Sequence, residues 1–127
     1  MGGDEAKQNH WVRKFAHAFR GVRRGIHGQS SFLVHFTATV AVIIAAAAFR
    51  VSLVEWCLLA LCIAAVLTAE MFNSALEHLA RAVHDKHHPE LGAALDISSA
   101  AVLLAALDSV VVVPVIFFNL LRMLLGY

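Results

Sequence analysis

Apolar residues along this chain gather in long runs with few polar interruptions, not in the short alternating or three-to-four spacing of a water-soluble core. Three runs stand out, from Phe32 to Phe49, from Leu53 through Ala69, and from Ile97 to about Leu121. Each is near the roughly 20 residues a helix needs to cross the hydrocarbon of a bilayer. The pattern predicts membrane helices over about 32–49, 53–84 and 96–121, the second continuing past the membrane edge because its helical spacing persists through Glu77 to about His84. Only short links join them, "RVS" at Arg50 to Ser52 and "DKHHPELGAAL" at Asp85 to Leu95, so consecutive helices are expected to be antiparallel neighbours. Ahead of the first run the pattern changes. Trp11, Phe15, Ala18, Phe19 and Val22 recur at helical spacing while Arg13, Lys14, Arg20 and Arg24 lie off that stripe. An amphipathic helix over about 8–27 is expected there, lying on the membrane surface, packing its stripe on the bundle, or both.

Composition agrees with a membrane setting. A chain of 127 residues with 60% hydrophobic and 15% charged content cannot hide that much apolar surface in one small core. Length allows a single domain. Ten Lys and Arg against nine Asp and Glu leave a net charge of +1, which points to no polyanionic partner and no nucleic acid. Lys7, Arg13, Lys14, Arg20, Arg23 and Arg24 all precede the first apolar run, as expected of a cytoplasmic flank. With the amino terminus inside, the second helix runs from outside to inside and brings Glu70 to Asp96 to the cytoplasmic face. No cleavable signal peptide is expected, since the apolar run starts late and follows a patterned flank. Cys57 and Cys62 point to different faces of one helix, cannot close a local disulfide, and are expected to be buried thiols.

The chemistry concentrates at the inner end of the second run, in "TAEMFNSALEHLA" from Thr68 to Ala80. On a helix Glu70, Asn73, Ser74 and Glu77 form one polar stripe, since seven residues are nearly two turns. An ionisable side chain beside hydrocarbon is costly and is kept for a partner or a function, and two like charges raise the cost. A hard cation relieves both. Mg²⁺ typically takes one or two protein carboxylates and fills its other positions with phosphate oxygens and water. A polar helix end facing interfacial water is the alternative.

"AEMFNSALEHLARAV" followed by "GAALDISSAAVLLAAL" resembles the core signature of the small bacterial integral-membrane diacylglycerol and undecaprenol kinases. "FAHAFRGVRRGI" resembles that family's amino-terminal pattern and "FLVH", ending in His35, its entry to the first spanning helix. The resemblance runs in register from about Phe15 to Phe118. It implies an all-α membrane protein, a homotrimer of protomers with an amino-terminal surface helix and three transmembrane helices, in the inner membrane of a bacterium. It also implies transfer of the γ-phosphate of MgATP to a lipid hydroxyl at the cytoplasmic interface. On this basis Glu70 matches the general base, Glu77 a metal ligand, Asn73 a polar group of the same site and Asp96 the acidic residue that begins the third helix. Ser74, Gln29, Arg20 and Arg81 are candidates for holding the nucleotide. No Gly-rich phosphate loop of a familiar kind occurs, so ATP would be held in a way particular to the family.

Departures from the family pattern accompany the matches. Gln29 stands where a second metal-binding Glu is expected, offering a carbonyl oxygen without charge, and Ser31 where Asn is expected. Leu95 replaces a Lys, and Arg81 stands where many members carry Asp. Two function classes follow: a lipid kinase acting on diacylglycerol, undecaprenol or another lipid alcohol, and a non-catalytic or rewired relative that binds lipid or nucleotide on the same scaffold. Outside the motif, His84, His87 and His88 read as a solvated loop before a transition-metal site. Asp108 is expected to hydrogen-bond at a trimer seam, with a proton relay as the alternative, and Pro114 to kink the third helix. His35 is expected to satisfy a buried hydrogen bond near the membrane edge.

Overall fold

A computed structural model describes residues 2–27, 30–83 and 88–127, and its regular elements are all helices: α1 (Gly2–Ile26), α2 (Ser30–Ala48), α3 (Leu53–Val83) and α4 (Pro89–Leu124). Three stretches are long and apolar enough to cross a membrane, Ser31–Ala48, Leu53–Val83 and Pro89–Leu124. Two ends differ from the expected ones. The third spanning helix begins at Pro89 and absorbs most of the expected link. Proline is well placed in a first turn, where its missing N–H would have no intrahelical partner, and His88 before it is extended at φ −123° and ψ 123°. The first helix reaches back to Gly2, with Asp4 and Glu5 in a first turn whose dipole favours acidic residues. α4 runs unbroken through Pro114.

Backbone chemistry dictates the tight α2–α3 connection. The Val51 amide donates to Ala46 O at 3.2 Å and the Arg50 amide to Ala47 O at 3.3 Å, a Schellman closure with Arg50 in the left-handed region at φ 53°. Ser52 and Glu55 then form a reciprocal capping box for α3: the Ser52 amide donates to Glu55 Oε2 at 2.9 Å, and the Glu55 amide to Ser52 Oγ at 3.2 Å. This accounts for a carboxylate at the start of an apolar run. Ala46, Val51, Leu59, Ile116 and Leu120 form a buried cluster beside the turn, where the small Ala46 side chain lets helices approach closely. Phe49 and Phe117 close it edge to face, 5.7 Å between ring centroids. The apolar core thus sits at the end of the bundle away from Glu70.

At the other end α1 meets α3 through Gly25, which is buried. A methyl group there would fall 2.5 Å from Met71 Sδ, so the glycine permits the approach. The apolar stripe of α1 is left uncovered by the protomer, with Phe19 76% exposed. Cys62 is buried as expected, but Cys57 is exposed. The angular separation that prevents a disulfide also turns one thiol outward. Asp108, at mid-length of α4, accepts a long contact from Cys62 Sγ at 3.9 Å.

Candidate active site

Successive helical residues are turned by about 100°. Glu70, Asn73, Ser74 and Glu77 therefore fall within an arc of about 100° on α3, with Asn73 at one edge and Ser74 at the other. Glu70 is 2% exposed. Its Oε1 lies 3.0 Å from His35 Nε2 on α2, and its Oε2 accepts the Ser31 hydroxyl at 3.4 Å. Asn73 links α3 to α4: its Nδ2 donates to Glu77 Oε1 at 2.8 Å, and its Oδ1 accepts Ser98 Oγ at 2.7 Å and Ser99 Oγ at 3.4 Å. Both serines also reach the Leu95 carbonyl, at 2.8 and 3.0 Å, so each single hydroxyl proton is shared between two acceptors. Among the described residues no buried side-chain nitrogen or oxygen lacks a hydrogen-bond partner. Such satisfaction is what allows polar groups to persist next to hydrocarbon.

Glu70, Asn73 and Glu77 line one cavity of about 440 Å³ together with Ser31, His35 and Ser99. Its volume is within the range of small-molecule sites. On its membrane side an apolar cavity of about 210 Å³, bounded by Val42, Val66 and Val113, shares His35 and Ala106 with it. A carboxylate-lined cavity and an apolar one thus meet at His35 and Ala106.

The other expected site residues lie elsewhere. Ser74 is buried, but its hydroxyl donates to the Gly25 carbonyl at 3.4 Å; it pins α1 to α3 and does not line the cavity. Asp96 is exposed, one turn before Ser99, and is outside the cavity lining. Arg81 is exposed and engages His78 Nδ1 at 3.2 Å. Arg20 is exposed on α1. Gln29, like His84 and His87, lies outside the described residues. Conversely, sequence reasoning did not connect His35 with Glu70, or Ser98 and Ser99 with Asn73. A usable signal was present: two adjacent hydroxyls in an apolar helix, antiparallel to one carrying a buried amide, are natural partners for it.

Fold and site together define an integral-membrane helical protein with a buried carboxylate site at one end of its bundle. The prokaryotic diacylglycerol kinase family model matches residues 16–117. An undecaprenol kinase of Bacillus subtilis (strain 168) is 33% identical over 109 residues, 86% of this chain and 89% of that protein. A diacylglycerol kinase of Synechocystis sp. (strain ATCC 27184 / PCC 6803 / Kazusa) is 34% identical over 99 residues, 77% of this chain; the matched stretch spans 57% of that longer relative. The chain belongs to the prokaryotic diacylglycerol kinase family, a family of lipid kinases.

Proposed function

We propose that this protein is an ATP-dependent lipid kinase that transfers the γ-phosphate of MgATP to the hydroxyl of a membrane lipid alcohol at the cytoplasmic face. The observation that carries the reading is Glu70: a carboxylate almost wholly buried, held by His35 and Ser31, lining a polar cavity that shares His35 with an apolar one. In this reading the lipid chain occupies the apolar side and its hydroxyl reaches Glu70. The carboxylate takes the hydroxyl proton as the alcohol oxygen attacks the γ-phosphorus and ADP leaves. Diacylglycerol, undecaprenol and related alcohols all present the required chain and hydroxyl.

Among the described residues no three His, Cys, Asp or Glu side chains converge as a protein-built metal cage. The donor set fits Mg²⁺ brought in on phosphate oxygens, because such an ion needs only one or two protein carboxylates. Glu77, steadied by Asn73, is the proposed ligand, with Gln29 as a neutral oxygen donor. Bound there, Mg²⁺ would offset negative charge on the transferring phosphoryl group. Asp96 is proposed to act at the rim of the site, and Arg81 and Arg20 are the proposed cations for the nucleotide. A homotrimer in the bacterial inner membrane, amino terminus inside, completes the proposal. The uncovered apolar faces of α1 and α4, including Phe19 and Leu104 at 76% and 68% exposure, support burial against lipid and neighbouring protomers.

A second reading, a scaffold that binds lipid or nucleotide without turnover, rests on Leu95, which offers no cation where the family resemblance has Lys. Purified protein in bilayers, given MgATP and a panel of lipid alcohols, separates the two by mass spectrometry of the products. Phosphorylated lipid that disappears with Glu70→Gln supports the kinase. Product made by the Glu70→Gln variant at the parental rate removes Glu70 as base, and no product from the parent favours the scaffold.

A further inference from the structure

The two oxygens of Glu70 are held unequally. Oε1 lies 3.0 Å from His35 Nε2, a good hydrogen-bond distance, whereas the Ser31 hydroxyl stands 3.4 Å from Oε2, near the limit of a useful contact. Glu70 is on α3, and both partners are on α2, His35 one helical turn deeper than Ser31. α4 offers the chamber only neutral groups, Ser99, Val102, Leu103 and Ala106, so no cation on that helix competes for the carboxylate. His35 itself is a quarter exposed and borders both the polar and the apolar chamber.

We infer that His35 is a positioning residue for Glu70: it fixes Oε1 and so leaves Oε2 as the oxygen that meets the lipid hydroxyl. This rests on the kinase reading and extends it to a residue whose sequence context suggested only a satisfied histidine. The terminal torsion of a Glu side chain, about Cγ–Cδ, is broad, and a base that must meet one hydroxyl gains from having it set beforehand. The His35 ring donates from Nε2 in its cationic form and in the neutral tautomer that carries the proton there, so the role needs no change of charge. The Ser31 hydroxyl, weakly engaged, occupies the place the substrate hydroxyl takes. When the lipid arrives, its O–H replaces that contact and the proton passes to Oε2. The new O–P bond forms as the bond from the γ-phosphorus to ADP breaks, and the proton then leaves Glu70 for water. His35 remains on Oε1 throughout, beside the cavity that receives the lipid chain.

The test compares parent, His35→Leu and His35→Gln in bilayers, with kcat and both Michaelis constants measured over lipid and MgATP titrations. Leucine keeps the bulk and removes the donor; glutamine restores an N–H donor without a ring. His35→Leu is expected to lower kcat about 10- to 100-fold, by analogy with the loss of a hydrogen-bond partner that orients a metal-ligating side chain. The KM for MgATP should stay near the parental value, because the nucleotide belongs to the Glu77 side. His35→Gln is expected to recover most of the lost rate. Thermal unfolding and oligomer size in detergent confirm that each variant is folded. A folded His35→Leu variant at the parental kcat overturns the inference, as does His35→Gln no faster than His35→Leu, or a change confined to the KM for MgATP. In all three cases an active parent leaves the kinase reading standing. A parent inactive on every alcohol sinks both.

Discussion

Asn73 gives the sharpest division between what holds the bundle together and what runs its chemistry. It is 8% exposed, donates to Glu77 at 2.8 Å and accepts Ser98 at 2.7 Å. Asn73→Ala removes both bonds together with the longer Ser99 contact at 3.4 Å. Taken from water-soluble proteins, a charge-assisted bond at roughly 1.5–3 kcal/mol and a neutral one at roughly 0.5–1.5 would total about 2–4.5 kcal/mol. That sum overstates the case on two grounds. Glu77 is half-buried, so water substitutes for part of the lost donor. Ser98 is not orphaned, since the Leu95 carbonyl stands 2.8 Å away. Interhelical hydrogen bonds measured within membranes average about 0.6 kcal/mol. The expected loss of stability is therefore about 1–2 kcal/mol. Turnover should suffer more, because Glu77 loses its 2.8 Å Asn73 donor. A fall in kcat of about 10- to 100-fold is expected, or 1.4–2.8 kcal/mol of barrier at 1.4 kcal/mol per decade. The assay pairs steady-state phosphorylation of a lipid alcohol in vesicles with reversible denaturant unfolding in mixed micelles. Ser98→Ala, expected to lose stability but little activity, serves as the control for α3–α4 packing. Parental kcat in a destabilised Asn73→Ala variant would refute the reasoning and make Asn73 only a helix clamp.

Three further outcomes are expected. Glu77→Gln should raise the Mg²⁺ concentration needed for half-maximal rate as well as lower the maximum, and an unchanged Mg²⁺ titration would remove Glu77 as ligand. Gln29→Glu with Leu95→Lys restores a charged ligand and a cation; charge-assisted contacts of roughly 1.5–3 kcal/mol predict at least about tenfold more activity in the double variant, and a slower one would point to a rewired site. Arg50→Gly should stabilise the protein by up to about 1 kcal/mol, because a non-glycine residue in the left-handed region costs roughly 1–2 kcal/mol and glycine's greater freedom in the unfolded chain offsets part of the gain. A lower melting temperature for that variant would count against the strain.

Much of this protein was legible before any coordinates, because a bilayer leaves few structural options. Backbone groups in hydrocarbon must be satisfied within a helix or a closed barrel, so apolar runs such as Phe32 to Phe49 and Ile97 to Leu121 specify helices almost by themselves. Helical spacing likewise put Glu70, Asn73, Ser74 and Glu77 on one stripe, a local property of a single element, and three of the four line the cavity. Helix ends were less legible. The start at Leu53 was foreseen, whereas the advantage of Pro89 in a first turn is a short-range signal, present in the sequence but outweighed there by the apolar pattern.

Relations between helices were beyond one-dimensional reading. Ser74 sits within the motif yet faces α1, because a turn of about 100° from Asn73 is enough to change neighbours, and only packing says which neighbour lies there. His35 and Glu70 are 35 residues apart, and Ser98 lies 25 residues beyond Asn73; nothing local links either pair. They meet because close packing at Ala46, Leu59 and Ile116 sets how α2, α3 and α4 are rotated and how far each slides against the others. Sequence determined which groups are costly to leave in the membrane. Tertiary structure decided which partners relieve that cost, since rotation and axial offset of rigid helices arise from side-chain packing summed over the whole bundle.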